Sequence, residues 1–412
     1  MVSVETIDQA YQRISEVVLK TPLQLNHSLS QQYDCKVFLK REDMQFVRSF
    51  KIRGAYNMIK KLSSEQVKNG VVCASAGNHA QGVAFSCSKL NIKGTIYMPT
   101  PTPNQKIRKV KHFGGDWIDI ILTGDTFDDA YESATKASKA KELTFVHPFN
   151  DLDVIAGQGT IAKEIIEQIE DPIDILIVAV GGGGLISGVG SYFKQKCPST
   201  KIIAVEAEGS AGLNASLKSG HLTRLEKIDN FADGIAVKEI GDITYKIIKE
   251  IIDDNVIVPE GAICSSILNL YNEDAIVAEP AGAVSIAALE QLREEIKGKK
   301  VGIILCGGNN DVNRTQEITE RALLHEDKKH YFIVKFPQRS GALKDFLNIL
   351  GPNDDITRFE YTKKNNKESG PALVGIVVED KSDFETLLER MKEEGINFEH
   401  INNNPMLFSM LV

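Results

Sequence analysis

From about residue 35 to 325 the chain alternates short apolar runs with longer stretches whose apolar positions recur at helical spacing. The runs are CKVFLK (35–40), GVVCAS (70–75), GTIYMP (94–99), DILIVAV (174–180), KIIAVEA (201–207) and VGIILC (301–306), and they read as buried strands. Between them, GNHAQGVAFSCSKLN and TFDDAYESATKASKAKE suit helices. Strands alternating with helices predict a mainly parallel, doubly wound α/β sheet with helices on both faces. Ligands of such sheets sit beyond the carboxyl ends of the strands. Three of these ends carry unusual sequence, SAGNHAQ, GGGGLISG and CGGNND, and they are expected to converge.

The charged stretch RALLHEDKKH (321–330) reads as a linker, and beyond it the pattern changes. HYFIVKF (330–336) is strand-like; Leu343, Phe346, Leu347 and Leu350 then fall at i, i+3, i+4 and i+7 on one helix face. ITRFEY and ALVGIVV read as two more strands. Phe384, Leu387, Leu388 and Met391 repeat the helical spacing, Ser382 with Glu385 predicts a capping box, and Gly395 a stop. INFEHI closes the unit as a last strand. The order is βαββαβ, a ferredoxin-like unit. The expected division is a first domain over 1–325 and a second over 326–412.

A chain of 412 residues accommodates two domains at roughly 100–200 residues each, and a hydrophobic share of 42% supplies a large core. The net charge of -8 argues against nucleic acid as a partner, because phosphate binding needs a basic face. The 6 cysteines are scattered, with no CxxC pair and no zinc spacing; they read as reduced thiols in a cytoplasmic protein without a metal centre. The first residues, MVSVETIDQAYQRISEVVLK, resemble neither a signal nor a transit peptide. No apolar stretch reaches the ~20 residues of a bilayer span, so no membrane partner is expected.

Candidate chemistry begins at SFKIRGAY (49–56), where Lys51 stands between Phe50 and Ile52 with Arg53 close behind. Desolvation and a neighbouring cation both disfavour an ammonium, and a neutral amine can attack a carbonyl. Alone, the octapeptide reads as a surface lysine in a mixed stretch; the other loops change that. In GGGGLISG, residues 181–188, four glycines remove every side chain, so that consecutive N–H groups at a helix start can approach a phosphate. The competing reading is a tight turn packing a helix onto the sheet. A dinucleotide site, with Glu206 as the ribose-binding acid, fails because no G-x-G-x-x-G can be drawn here.

SAGNHAQG (75–82) again lies between a strand and a helix. Ser75, Ala76 and Gly77 leave backbone and hydroxyl donors for a carboxylate, Asn78 offers an amide to a ring hydroxyl, and His79 is either a general base or a structural histidine. Cys306 in CGGNND is read as a buried, inert thiol, or as a weak hydrogen-bond partner for a ligand atom. Glu279 in AEPAGA suits either close packing near a ligand or a helix start. An amine, a phosphate cradle, a carboxylate loop and a neutral polar group together fit an enzyme of pyridoxal 5'-phosphate, whose lysine forms a Schiff base with the cofactor.

SFKIRGA, SAGNHAQG, GGGGLISG, EPAGA and CGGNN stand in the order and spacing of the serine/threonine dehydratases, and the resemblance covers most of residues 1–325. It implies the tryptophan-synthase-β-like, fold type II architecture. Lys51 matches the Schiff-base lysine, with Phe50 beside it in the cofactor site; Asn78 matches the amide on the ring oxygen; Gly181, Gly182, Gly183, Gly184 and Leu185 match the phosphate loop. Ser75, Ala76, Gly77, Asn78 and His79 match the substrate loop, and Glu279 falls in the cofactor set. Cys306 matches the residue facing the pyridine nitrogen, and as a cysteine it departs from the serine or threonine usual among threonine dehydratases, leaving the preference between threonine and serine open. The second unit resembles the ACT-like regulatory module of the biosynthetic members, in one copy where longer forms carry two. The implied activity is dehydration and deamination of L-threonine to 2-oxobutanoate and ammonia at the head of isoleucine synthesis, with L-serine as a further substrate. Isoleucine is the implied inhibitor, valine its antagonist and a homotetramer the implied assembly. The competing readings are an L-serine dehydratase, a cysteine-synthase-like β-replacement enzyme, whose lysine is usually followed by Asp-Arg rather than Ile52-Arg53, and a catalytically inert amino-acid sensor.

Overall fold

The computed structural model describes residues 1–361 and 368–412, which divide into two compact units, Met1–Val312 and Asn313–Val412. Ten strands build the first unit: β1 Leu23–Asn26, β2 Lys36–Arg41, β3 Val71–Ala74, β4 Gly94–Met98, β5 Ile118–Leu122, β6 Thr144–Phe145, β7 Ile175–Ala179, β8 Lys201–Ala207, β9 Asp254–Val258 and β10 Lys300–Leu305. They form two sheets rather than one. The larger has the order β1-β2-β10-β7-β8-β9, parallel except for the β1–β2 pair; the smaller is the wholly parallel β5-β4-β3-β6.

All six apolar runs are strands in the structure. The four strands that the pattern does not mark, β1, β5, β6 and β9, are the four edges of the two sheets. An edge strand is covered incompletely, so its sequence has no need of an unbroken apolar run; β5, for instance, has no fully buried residue. The apolar pattern identifies strands but not their partners, and hence one sheet is expected where two exist.

The second unit adds β11 Lys329–Pro337, β12 Asp355–Tyr361, β13 Ser369–Val377 and β14 Phe398–His400, an antiparallel sheet in the order β12-β13-β11-β14. With the helices Ala342–Leu347 and Asp383–Glu393 this is the βαββαβ ferredoxin-like arrangement; Phe332, Val334, Val374, Phe346, Leu387 and Met391 meet in its core. The charged stretch 321–330 is not a linker. It ends the helix Thr315–His325 and begins β11, and its charges are held: Lys329 pairs with Glu320, which also accepts a 2.6 Å bond from the Tyr331 hydroxyl.

Three local expectations change in this unit. The capping box does not form, because Ser382 has helical dihedrals (φ -64, ψ -24) that deny its hydroxyl the cap position; the Asp383 carboxylate accepts the Asp380 N–H instead. The helix Ala342–Leu347 is too short to present a continuous face, so Phe346 is buried while Leu343 and Leu347 are exposed. A C-terminal helix, Pro405–Leu411, capped by Asn404, was not marked by the pattern. Gly395 does stop its helix, at φ 65. No described helix is long and apolar enough to cross a membrane.

Candidate active site

Lys51 is the first residue of the helix Lys51–Lys61, and the turn before it is stitched to the end of β10: Phe50 donates its N–H to the Cys306 carbonyl (3.2 Å), and Ser49 bridges Gly307. The residue is only partly buried as a whole, but its amine is enclosed and donates to the Pro148 carbonyl at 3.0 Å. Burial pushes the amine down to about 8, with Cys306 and Glu279 opposing the shift. Two histidines beside it are kept neutral by burial and by the lysine's charge, His79 at about 3 and His147 at about 4.

Arg53 plays no part in this depression. Its guanidinium is fully buried on another side, bonded to Glu42 (2.8 Å from both Nε and Nη2) and to Glu164 (2.7 and 2.9 Å), while Lys40 donates to Glu164 at 2.6 Å. Two carboxylates absorb its charge.

The glycine loop leaves β7 and opens the helix Gly184–Lys196. Gly183 has φ 90, which an L side chain adopts only under strain. At Gly182 a Cβ would lie 2.2 Å from the Phe149 ring, so no larger residue fits. Thr244 donates to the Gly182 carbonyl at 2.7 Å and fixes the loop from behind. The unpartnered first-turn amides and the positive end of the helix are thus presented to an anion.

The opposite wall begins at Asn78, which opens the helix Asn78–Leu90. Its Nδ2 donates to Glu279 Oε1 at 2.5 Å and its Oδ1 accepts from Asn309 Nδ2 at 2.8 Å. Glu279 stands at a helix start, in the N-cap position of the helix Pro280–Ala287, and its buried carboxyl, which lines the cavity, is pushed up to about 7, by burial first and Asp233 second. Cys306, at the end of β10, donates its thiol to the Ala281 carbonyl at 3.2 Å. Burial pushes that thiol far up, so it is protonated and neutral, not a nucleophile.

In the loop before Asn78, the Ser75 hydroxyl accepts the Gly77 N–H (3.2 Å), and a Cβ on Gly77 would meet nothing within 4 Å, so the backbone there, flanking Ala76, faces open space. His79 is the structural histidine: buried, it directs Nε2 to the Val146 carbonyl at 2.9 Å and does not line the cavity. Glu206 is likewise no ribose ligand, since its carboxylate accepts the N–H groups of Leu213 and Asn214 at the start of the helix Gly212–Ser219.

Phe50, Lys51, Asn78, the glycines 181–184, Leu185, Glu279 and Cys306 therefore line one cavity. Sequence reasoning passed over Phe149, Gly234 and Ile235 in its walls, and Asn309 behind Asn78. Asn309 stands inside CGGNND, and its neighbouring amides were a usable signal; HPFN and ADGI carry little that separates them from ordinary loops. The donors suit pyridoxal phosphate: a side-chain-free anion cradle at one end, an enclosed amine in the middle, and a neutral thiol and amide at the other.

Residues 14–307 match the family model described as pyridoxal-phosphate dependent enzyme, and residues 320–411 match the C-terminal regulatory domain of threonine dehydratase. The chain is 56% identical to "L-threonine dehydratase biosynthetic IlvA" of Bacillus subtilis (strain 168), over 100% of this chain and 98% of that protein. It is 54% identical to the protein of the same name from Halalkalibacterium halodurans, over 100% and 99%. Among solved structures, the processed form of threonine deaminase isoform 2 from Solanum lycopersicum aligns with a TM-score of 0.73 at 42% identity, covering 78% of this chain and 94% of that one. Maize serine racemase aligns at 0.72 and 32%, covering 79% and 98%.

Proposed function

The chain belongs to the pyridoxal-phosphate-dependent threonine dehydratases, and from that premise we propose how its own residues convert L-threonine to 2-oxobutanoate and ammonia. Bound pyridoxal phosphate supplies an electron-withdrawing ring conjugated with the substrate's amino group, which acidifies the Cα–H. Gly181, Gly182, Gly183, Gly184 and Leu185 would hold its phosphate, Asn78, braced by Glu279, would bind its ring hydroxyl, the neutral Cys306 thiol would bind its ring nitrogen, and Phe50 would flank it in the cavity wall. The Lys51 amine takes the Cα proton. With its pKa near 8, an appreciable neutral fraction exists at pH 7, where an ordinary lysine has almost none. The Pro148 carbonyl aims that amine. Ser75, Ala76, Gly77 and Asn78 receive the substrate carboxylate; His79 contributes backbone only, its ring being committed to Val146. The observation that carries this reading is the enclosed Lys51 amine between the glycine loop and the Asn78–Glu279 pair.

Ala76 has no exchangeable proton on its side chain, so no acid or base stands at that position to reprotonate Cα. Elimination without racemisation is expected. Chiral chromatography of residual substrate after partial turnover checks this, and D-threonine or an allo isomer accumulating with 2-oxobutanoate would overturn it.

The cytoplasmic location, the homotetramer and the use of L-serine stand within the same proposal, with the regulatory unit beginning nearer Asn313 than at the 325/326 division that the sequence pattern suggests. So does the role of the second unit: isoleucine binds there and inhibits, and valine opposes it. The test is 2-oxobutanoate release from L-threonine as isoleucine is titrated in. A falling rate, restored by valine, is expected. A rate indifferent to isoleucine would leave the chemistry and remove the effector.

A further inference from the structure

We propose that Phe149 sets the preference for threonine over serine, its ring forming the apolar wall against the β-methyl of the substrate; the inference rests on the function proposed above. The amine that takes the Cα proton is tied to the Pro148 carbonyl at 3.0 Å, and Phe149 is the next residue. Its ring extends from that anchor to the phosphate cradle, where a Cβ on Gly182 would lie 2.2 Å from a ring atom. Cβ is one bond from Cα, so a substrate whose Cα lies at the Lys51 amine carries its β-substituent within the cavity that this ring lines.

Phe149 is also held in place. Its N–H and that of Asn150 both point to Nδ1 of His147, at 3.3 and 2.8 Å, and the two rings pack edge to face at 4.7 Å. Nδ1 can accept both bonds because His147 is kept neutral by burial. Among the described residues lining the cavity, Phe50, Leu185, Ile235 and Ala281 are 8%, 5%, 7% and 2% exposed, with their surfaces already covered. Phe149 is less completely buried than these four and also lines the cavity. The polar groups of the site have partners or assigned roles: amine on Pro148, Asn78 on Glu279, thiol on Ala281. A methyl group and an apolar ring are complementary; a hydroxymethyl gains nothing from it.

One methylene in a hydrophobic pocket is worth roughly 10–200-fold in kcat/KM. The test measures kcat/KM for L-threonine and L-serine, with cofactor content from absorbance, in the holoenzyme and in Phe149→Ala and Phe149→Leu. The threonine-to-serine ratio is expected to fall about 10-fold or more in Phe149→Ala, through loss on threonine, and less in Phe149→Leu, with cofactor content unchanged. If Phe149→Ala loses cofactor because the glycine cradle has lost its support, Phe149→Leu, which keeps apolar bulk there, decides alone. An unchanged ratio in Phe149→Leu in that case, or in both variants otherwise, overturns the proposal, as does a wild-type enzyme that dehydrates both substrates equally well. A wild-type protein that releases no 2-oxo acid from either amino acid would overturn the functional reading instead.

Discussion

Replacing Lys51 with alanine abolishes 2-oxobutanoate formation, with kcat/KM for L-threonine expected to fall by at least ~10⁴-fold, the upper range for a positioned acid–base group. On the proposed function the loss has two sources: the chain would no longer hold the cofactor covalently, and the amine at the Pro148 carbonyl that takes the proton would be gone. His79 cannot substitute, because burial suppresses its basicity and its ring is committed to the Val146 carbonyl away from the cavity, and the Cys306 thiol is protonated. The same substitution should not weaken the fold. Lysine has an ordinary value of 10.5 and Lys51 sits near 8, so between those values the unfolded chain binds more protons than the folded one, and stability rises with pH. Burying the ammonium at pH 7 therefore costs up to about 3 kcal/mol, relieved as pH rises from 8 toward 10.5. Cofactor-free Lys51→Ala is expected to melt no earlier than the cofactor-free wild type at pH 7, with any advantage shrinking toward pH 10. Residual turnover at even a hundredth of the wild-type rate would remove Lys51 from the chemistry. Earlier melting would assign the lost activity to folding.

The site was far more legible than the sheet arrangement, for a physical reason. SFK, SAGN, GGGG and CGGNN each concentrate their chemistry in consecutive residues at the end of a strand or the start of a helix, so local sequence carries both the group and its placement. The edge strands β1, β5, β6 and β9 lack the double burial that writes an apolar run, and the pairing of β3 with β4 and β6 rather than with the large sheet is a long-range choice with no local signature. Phe149 and Ile235 enter the cavity only by tertiary approach. Arg53 shows the opposite error, where nearness in sequence was taken for nearness in space. Residues two apart on a helix point about 200° from each other, so Lys51 faces the cavity while Arg53 faces the interior, and the lysine's depressed pKa comes from burial.

That interior position makes Arg53 costly to replace. Arg53, Lys40, Glu42 and Glu164 form a buried cluster of two cations and two anions, each 2% exposed or less, tied further by Thr21 on Glu42 and Thr160 on Arg53. The cluster lies under the helix that begins at Lys51 and joins it to β2 and to the helix Leu152–Gln168. Arg53→Met removes four charge-assisted bonds to the two carboxylates, and two more to Thr160 and the Leu19 carbonyl, at once, leaving Lys40 to serve both acids. Breaking a buried pair from one side costs about 3–5 kcal/mol, because the remaining charge has no solvent. Arg53→Lys keeps the charge but not the fork and should fall between. The pH dependence separates this cause from lost packing. In the native chain Arg53 holds the Glu42 carboxyl below the ordinary carboxylate range against an opposing burial effect, so that stabilisation is present at neutral pH and lost as pH falls through the folded pKa. Without Arg53 only Lys40 and Thr21 still oppose burial, the largest effect on Glu42, so its carboxyl shifts upward and the folded variant gains protons relative to the native fold. The deficit of Arg53→Met in chemical denaturation is therefore largest near pH 7 and shrinks toward pH 5, as Glu42 becomes protonated in the variant. A deficit under 1 kcal/mol would show that the cluster is dispensable, and one of full size but flat with pH would assign it to packing rather than charge.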